Sequence, residues 1–257
     1  ISIDSLIEVG GYFGISNNDA LTSFFIDSAF STGENLAIFE NDALTSFSLD
    51  GVTDVGEQLY IYENNALTSF SLDGLIDIGG DAYITNSIAL SSFSLDSLTE
   101  IGGTLYSYTN DALTSFSFDS LTYINGGLSL TGNNALTSVA IDSLTYVGST
   151  INIQANGALT SFSLAALTEV DGDVYIYNNS SLSSLSFNSL AYINGYFWVN
   201  ANNALSYLAL DSLTNTTSFF ALYESPSYCQ SQAEAWVAQM EAAGWSGTTY
   251  VYSNASC

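Results

Sequence analysis

A motif that returns every 23 residues, with no insertion or deletion, constrains this chain more than any other feature. Ala-Leu-Thr-Ser-Phe begins at Ala20, Ala43, Ala66, Ala112 and Ala158, and related pentapeptides begin at Ala89, Ala135, Ser181 and Ala204. A fixed period in the twenties specifies a solenoid, because one such unit cannot bury its apolar side alone and must stack on its neighbours. Each position of the unit then becomes a column running along a rod, and function has to be read from the outward columns and the two ends.

The unit Ala66 to Ile88 shows the pattern. Leu67, Phe70, Leu72, Leu75, Ile78 and Ile84 are set for the interior, with Phe70, Ser71 and Leu72 alternating in the period of a strand. Leu59-Tyr60-Ile61-Tyr62 and Val174-Tyr175-Ile176-Tyr177 alternate more clearly, aliphatic inward and tyrosine outward. Between the two stretches lie pairs such as Gly10-Gly11, Gly79-Gly80 and Gly102-Gly103, which predict a turn using positive φ. The expectation is two strands and two corners per coil, about ten coils, and a rod about 50 Å long at the usual strand spacing. A column of asparagines, Asn18, Asn41, Asn64, Asn110, Asn133, Asn156, Asn179 and Asn202, is expected to stack inside one corner and pair with its backbone groups.

Leu90-Ser-Ser-Phe-Ser-Leu-Asp-Ser-Leu98, followed by Ile101-Gly-Gly-Thr-Leu-Tyr106, resembles the repeats of the receptor L-domain group. These are leucine-rich-repeat-like right-handed β-helices, also present in fungal cell-wall and bacterial surface proteins. The resemblance spans about residues 1–223 and implies an all-β, right-handed parallel β-solenoid, an extracellular or cell-surface setting, and a binding or structural role without catalytic residues. The cysteine-rich modules of receptor members are missing, so growth-factor recognition is not implied.

Composition narrows the chemistry. The 257 residues include 26 acidic side chains and no Lys, Arg or His, a formal net charge of −26. No side-chain salt bridge, Schiff base, phosphate clamp or histidine dyad can form, so the chain is expected not to be an enzyme. Nucleic acid, which is held by neutralising phosphates, is excluded as a direct partner, and an anionic membrane repels such a surface. Partners are expected among copies of the chain itself, glycans and cations. With 47% hydrophobic residues the chain is too apolar for a disordered acidic tail, yet no run reaches the roughly 20 apolar residues of a membrane span. Trypsin-like proteases find no basic residue to cleave after. Cys229 and Cys257, the only two cysteines, suit one disulfide in an exported protein, with a pair of free thiols as the alternative.

Three outward columns are candidates for function. The first is an acidic column, Asp4, Asp27, Asp50, Asp73, Asp96, Asp119, Asp142 and Asp211, interrupted by Ala165 and Asn188. Carboxylates about 4.8 Å apart repel by roughly 1 kcal/mol in water and 3–4 kcal/mol at an effective dielectric of 20, so something must offset them. Asx turns within each coil would do so; shared Ca²⁺ ions at Asp50, Asp73, Asp96 and Asp119 are the sharper reading, and no other cofactor is indicated. The second is an aromatic face of Tyr60, Tyr62, Tyr83, Tyr106, Tyr108, Tyr175, Tyr177 and Trp198, with Phe39 and Tyr223 near its ends. Cross-strand stacking, lateral assembly and stacking on sugar rings all account for such a face. The third is a set of hydroxyl columns, Ser46, Ser69, Ser92 and Ser115 beside Ser48, Ser71, Ser94 and Ser117, flanked by Thr22, Thr45, Thr68 and Thr114, a pattern compatible with a solvated strand or with ice binding.

The ends differ. Residues 224–257 break the period at Pro226 and are expected to form a cap: a helix over about 227–243 with Ser227 as N-cap and Gly244 after its end, a strand over about 248–252, and a Cys229–Cys257 link. Ile1-Ser2-Ile3-Asp4 starts inside a repeat, which is read either as a trimmed chain or as an open coil covered by a second copy, the latter giving a head-to-tail filament. Asn178, Asn179, Asn215 and Asn254 lie in glycosylation sequons. The functional expectation is an extracellular structural and adhesion protein that assembles through its solenoid end and tyrosine face; a glycan-binding module and an ice-binding protein are the alternatives.

Overall fold

The computed structural model describes residues 6–252 and 254–257; Asp4 and the opening of the first coil lie outside them. The described chain winds into a parallel β-solenoid whose coils stack in 23-residue register, as in Tyr60 opposite Tyr83 opposite Tyr106, with one shift where Phe30 faces Val52. Each complete coil contributes three strands rather than two, and nine coils place a strand on all three faces. A broad face carries strands of four residues, such as Leu59–Tyr62 and Ala82–Thr85. A serine face carries strands of three, such as Ser69–Ser71, and a narrow face carries mostly two-residue strands such as Asp77–Ile78. The third strand escapes a sequence reading because two residues are too few to show a period of two.

The interior is a column of aliphatic side chains for every inward position. Leu67, Leu72, Leu75, Ile78 and Ile84 of one coil are fully buried, as are their counterparts in the coils on either side. Phe24, Phe47, Phe70, Phe93 and Phe116 form a stack beneath the serine face, with consecutive centroids 5.0 to 5.2 Å apart. Val139 ends that stack, and the hydrogen-bonded sheet of the serine face ends in the same coil: six strands pair up to Ser138–Ala140, and a separate group of three begins at Ser161–Ser163.

The asparagine column does what its position suggested. Asn110 N–H donates to Asn133 Oδ1 at 3.1 Å, Asn133 N–H to Asn156 Oδ1 at 3.0 Å, and Asn156 N–H to Asn179 Oδ1 at 3.0 Å. From Asn41 onward each amide also donates to a carbonyl of the coil before, as Asn133 Nδ2 does to Ser107 O at 2.9 Å, whereas the exposed Asn18 donates to Ser16 O of its own coil. Backbone groups that the corner would bury unpaired are thereby satisfied by side chains that are themselves wholly buried. Ser87 interrupts the column and takes its turn, accepting from Asn64 and donating its own N–H to Asn110.

The glycine pairs have a different purpose from the one expected. Positive φ is found one position ahead of the asparagine column, at Asn17, Glu40, Glu63, Asn86, Thr109, Gly132, Ala155, Asn178, Ala201 and Glu224, of which only Gly132 is glycine. At the Gly-Gly corners the constraint is space: a Cβ on Gly79 would stand 2.3 Å from Gly56 O, and one on Gly102 2.2 Å from Gly79 O. Glycine there lets one coil lie against the carbonyls of the last.

The C-terminal segment closes the rod. The helix runs Gln230–Ala242, with Cys229 rather than Ser227 at its N-cap; the Ser227 hydroxyl instead donates to Asn203 O at 2.7 Å. Gly244 follows the helix end as expected, and the end is a Schellman turn, with Gly244 at φ 96°, Gly244 N–H bonded to Glu241 O and Trp245 N–H to Met240 O, both 3.0 Å. Ala233 and Met240 are buried, and Trp245 reaches back to donate to Thr216 O at 2.6 Å. The strand Thr248–Tyr252 then pairs in parallel with Phe219–Tyr223, extending the broad face by one more strand, and Cys229 is disulfide-bonded to Cys257.

Candidate binding face

Alternation along the broad-face strands turns the second and fourth residue of each outward, creating two parallel columns. The second-position column reads Tyr60, Tyr83, Tyr106, Ser129, Asn152, Tyr175, Trp198, Ala221 and Tyr250; the fourth-position column reads Phe39, Tyr62, Thr85, Tyr108, Thr131, Gln154, Tyr177, Asn200, Tyr223 and Tyr252. All eight aromatic residues expected on this face are there, each half-buried. They do not form one surface. Two polar coils, with Ser129, Thr131, Asn152 and Gln154 outward, divide them into an N-terminal strip and a cap-side cluster.

The two groups differ in ring geometry. In the strip, Tyr60 stacks on Tyr83 at 5.1 Å and 13°, Tyr83 on Tyr106 at 4.7 Å and 10°, and Phe39 on Tyr62 at 4.8 Å and 12°. The rings cover one another's faces and show mainly edges to solvent, so cross-strand stacking accounts for them. Burial pushes the Tyr83 phenol above its ordinary range, reinforced by its hydrogen bond to Asp81 Oδ2 at 3.0 Å.

In the cluster the rings splay. Trp198 meets Tyr175 at 60°, Phe219 at 57° and Tyr223 at 48°, with centroids 5.7 to 6.0 Å apart. Its indole N–H is taken by Asn200 Oδ1 at 3.0 Å, which fixes the ring as a wall between two depressions. One, of about 340 Å³, is lined by Tyr175, Tyr177, Trp198 and Asn200. The other, of about 320 Å³, has Ala221 as its floor and Trp198, Phe219, Tyr223, Tyr250 and Tyr252 around it. Tyr177 donates to Gln154 Oε1 at 2.6 Å and Tyr175 to Asp173 Oδ2 at 3.1 Å; burial, followed by that carboxylate, pushes the Tyr175 phenol up to about 12. Phe219, Ala221, Tyr250 and Tyr252 were not foreseen as site residues. The signal for Tyr250 and Tyr252 was present in Thr248-Thr-Tyr-Val-Tyr, whose alternation repeats that of Val174-Tyr-Ile-Tyr.

The acidic column is stabilised between coils rather than inside a turn. Asp50 accepts from the Ser48 hydroxyl at 2.8 Å, from the Ser71 hydroxyl of the next coil, and from Asp73 N–H at 3.0 Å. Burial raises the Asp50 pKa, but these three donors outweigh it and hold the carboxyl below the usual range. Ser94 donates to Asp73 and Ser117 to Asp96, so the serine column separates the carboxylates. Among the described residues no three acidic or cysteine side chains converge as a metal-binding group, and Asp50, Asp73, Asp96 and Asp119 stand one to a coil. The threonine column next to the serine face is likewise engaged: Thr68 Oγ1 donates to Thr45 O at 2.9 Å and Thr137 Oγ1 to Thr114 O at 3.0 Å. Of the sequon residues, Asn179 is buried in the asparagine column and Asn254 is bonded to Leu222 O and Ser225 N–H, whereas Asn178 is exposed and Asn215 half-exposed.

Compared with protein-family models, curated proteins and solved structures, the chain matches none. The stacked parallel coils agree with the β-helix part of the resemblance seen in the sequence. No helix among the described residues is long and apolar enough to cross a membrane.

Proposed function

We propose that this protein is an extracellular, non-enzymatic adhesion rod of the L-domain-like surface class, and that it grips an uncharged glycan surface through the cap-side aromatic cluster. The supporting observation is the 60° splay of Tyr175 from Trp198, which leaves ring faces open in the first depression where the N-terminal strip hides them. Aromatic faces beside a fixed amide and carboxylates suit a sugar, whose C–H face packs on a ring while its hydroxyls bond to acceptors. Asn200, Gln154 and Asp173 supply such acceptors around Tyr175 and Tyr177. The disulfide fits an oxidising compartment, and the absence of every basic side chain disfavours anionic partners.

The test is sedimentation of the protein with insoluble neutral polysaccharides, comparing the native chain with Tyr177→Ala and with Tyr62→Ser. Retention lowered at least tenfold by Tyr177→Ala and unchanged by Tyr62→Ser supports the reading. Retention on no neutral polysaccharide, with ordered filaments of the protein alone under the electron microscope, would replace it with self-assembly.

A further inference from the structure

The second depression, on the far side of Trp198, has a chemistry unlike the first. Its floor is the Ala221 methyl and its walls are rings that turn corners: Phe219 meets Tyr250 at 80° and Trp198 at 57°, while Tyr223 meets Trp198 at 48° and stacks on Tyr252 at 16°. Rings at steep angles about a pit enclose a rounded group rather than supporting a flat one. The faces of Trp198, Phe219 and Tyr250 that turn into it carry the negative lobes of the ring quadrupoles, which attract a cation, while the stacked pair Tyr223 and Tyr252 closes the remaining side.

In most proteins a nearby Lys or Arg can occupy such faces. This chain contains none, so the faces have no internal cation to pair with. Carboxylates stand close by: Glu224 acts on the Tyr223 phenol, and Glu234 lines the neighbouring groove with Tyr250 and Tyr252. Burial and then Tyr252 push the Tyr223 phenol above its ordinary range, opposed by a hydrogen bond with Trp198. A net charge of −26 adds a long-range field that draws cations and repels anions. A primary ammonium would lose strong hydration in an aromatic pit, whereas a methylated ammonium has no hydrogen bonds to give up.

We propose that this pit is a binding site for a quaternary ammonium group carried by a small soluble cation of the choline type. The proposal goes beyond the adhesion reading, because it concerns the face of Trp198 turned away from Tyr175 and Tyr177. Its failure would leave glycan retention intact, and failure of glycan retention would leave this pit unaltered.

The experiment is isothermal titration of the whole oxidised protein with choline and, in parallel, with 3,3-dimethylbutan-1-ol, the uncharged analogue of the same shape. Choline is expected to bind at least tenfold more tightly than the alcohol and to weaken as salt rises, since part of its attraction is long-range. Ala221→Leu, which fills the floor, and Tyr250→Ala, which removes an exposed wall, are each expected to weaken choline at least tenfold. The Tyr250 change keeps the test valid should the filled floor disturb the fold. Phosphocholine, whose phosphate meets the acidic surface, is expected to bind less well than choline. Equal binding of choline and the alcohol, no choline binding, or choline binding unaffected in Tyr250→Ala would each overturn the proposal.

Discussion

Asn254 accepts the backbone N–H of Ser225 at 3.3 Å, the same bond that each buried asparagine of the rod makes to the coil before it. Its amide also donates to Leu222 O at 3.0 Å, so a residue of the cap completes a column begun at Asn18. The cap therefore continues the rod's hydrogen bonding as well as shielding its apolar end.

The column can be cut in its middle or at its end. Asn133→Ala would leave Asn110 N–H buried without a partner, at about 1–3 kcal/mol, and take from Ser107 O one of its two donors, the strand bond from the next coil remaining. A loss of about 1–3 kcal/mol is expected in urea unfolding, and a smaller one for Asn254→Ala, which is only partly buried. Equal, sub-kcal/mol losses would mean that water replaces the amide.

The left-handed corner predicts an unusual stabilising change. Ala155 holds φ 53°, a region that costs an L-residue about 1–2 kcal/mol relative to glycine. Ala155→Gly should raise stability by up to about 1 kcal/mol after the entropy of the added glycine is subtracted. Gly79→Ala should do the reverse, because its Cβ would collide with a carbonyl of the preceding coil. Thermal melts of the two variants give opposite signs if each corner is read correctly.

Stacked and splayed tyrosines should separate in a paired experiment. Tyr83 is covered on both faces, and Tyr83→Ala removes two ring contacts worth about 0.5–1.5 kcal/mol each. Stability should fall by about 1–3 kcal/mol with no change in glycan retention. Any drop in retention would bring the N-terminal strip back into the binding face.

The narrow face sets Asp77 between Asp54 and Glu100 in register. Burial, then Glu100 and Asp54, raise the Asp77 pKa above its ordinary 3.8. An acid raised in the folded state contributes its stability while protonated, below its unfolded pKa, and loses it as pH climbs through the folded value. At pH 7 the charged Asp77 is thus destabilising, and Asp77→Asn should stabilise the protein there by up to about 1 kcal/mol, with the gain vanishing at pH 3. Melting temperatures of both chains across that range measure it; a gain independent of pH would point to packing instead of charge.

Period and alternation made the solenoid, its inward residues, the asparagine column and the cap strand legible before any coordinates. What stayed hidden depends on distances between coils. Asp50 is steadied by Ser71, which is 21 positions later in the chain and adjacent only after stacking. Gly79 looks like a turn residue until the carbonyl of Gly56 is seen behind it. The tyrosines read alike in sequence, and only ring angles distinguish Tyr83, closed on both sides, from Tyr175, open beside Trp198. Tyr250 stayed outside the expected face because a helix intervenes between it and the repeat whose register it resumes.

The polar coils Leu128–Thr131 and Ile151–Gln154 separate the stacked strip from the splayed cluster. Since these coils pair with their neighbours in one 23-residue register across the broad face, a whole unit gained or lost would keep the outward columns aligned and change the gap by about 4.8 Å. The span between the two aromatic groups is a quantised length, set by a count of repeats and adjustable by gene duplication or deletion in steps of one coil.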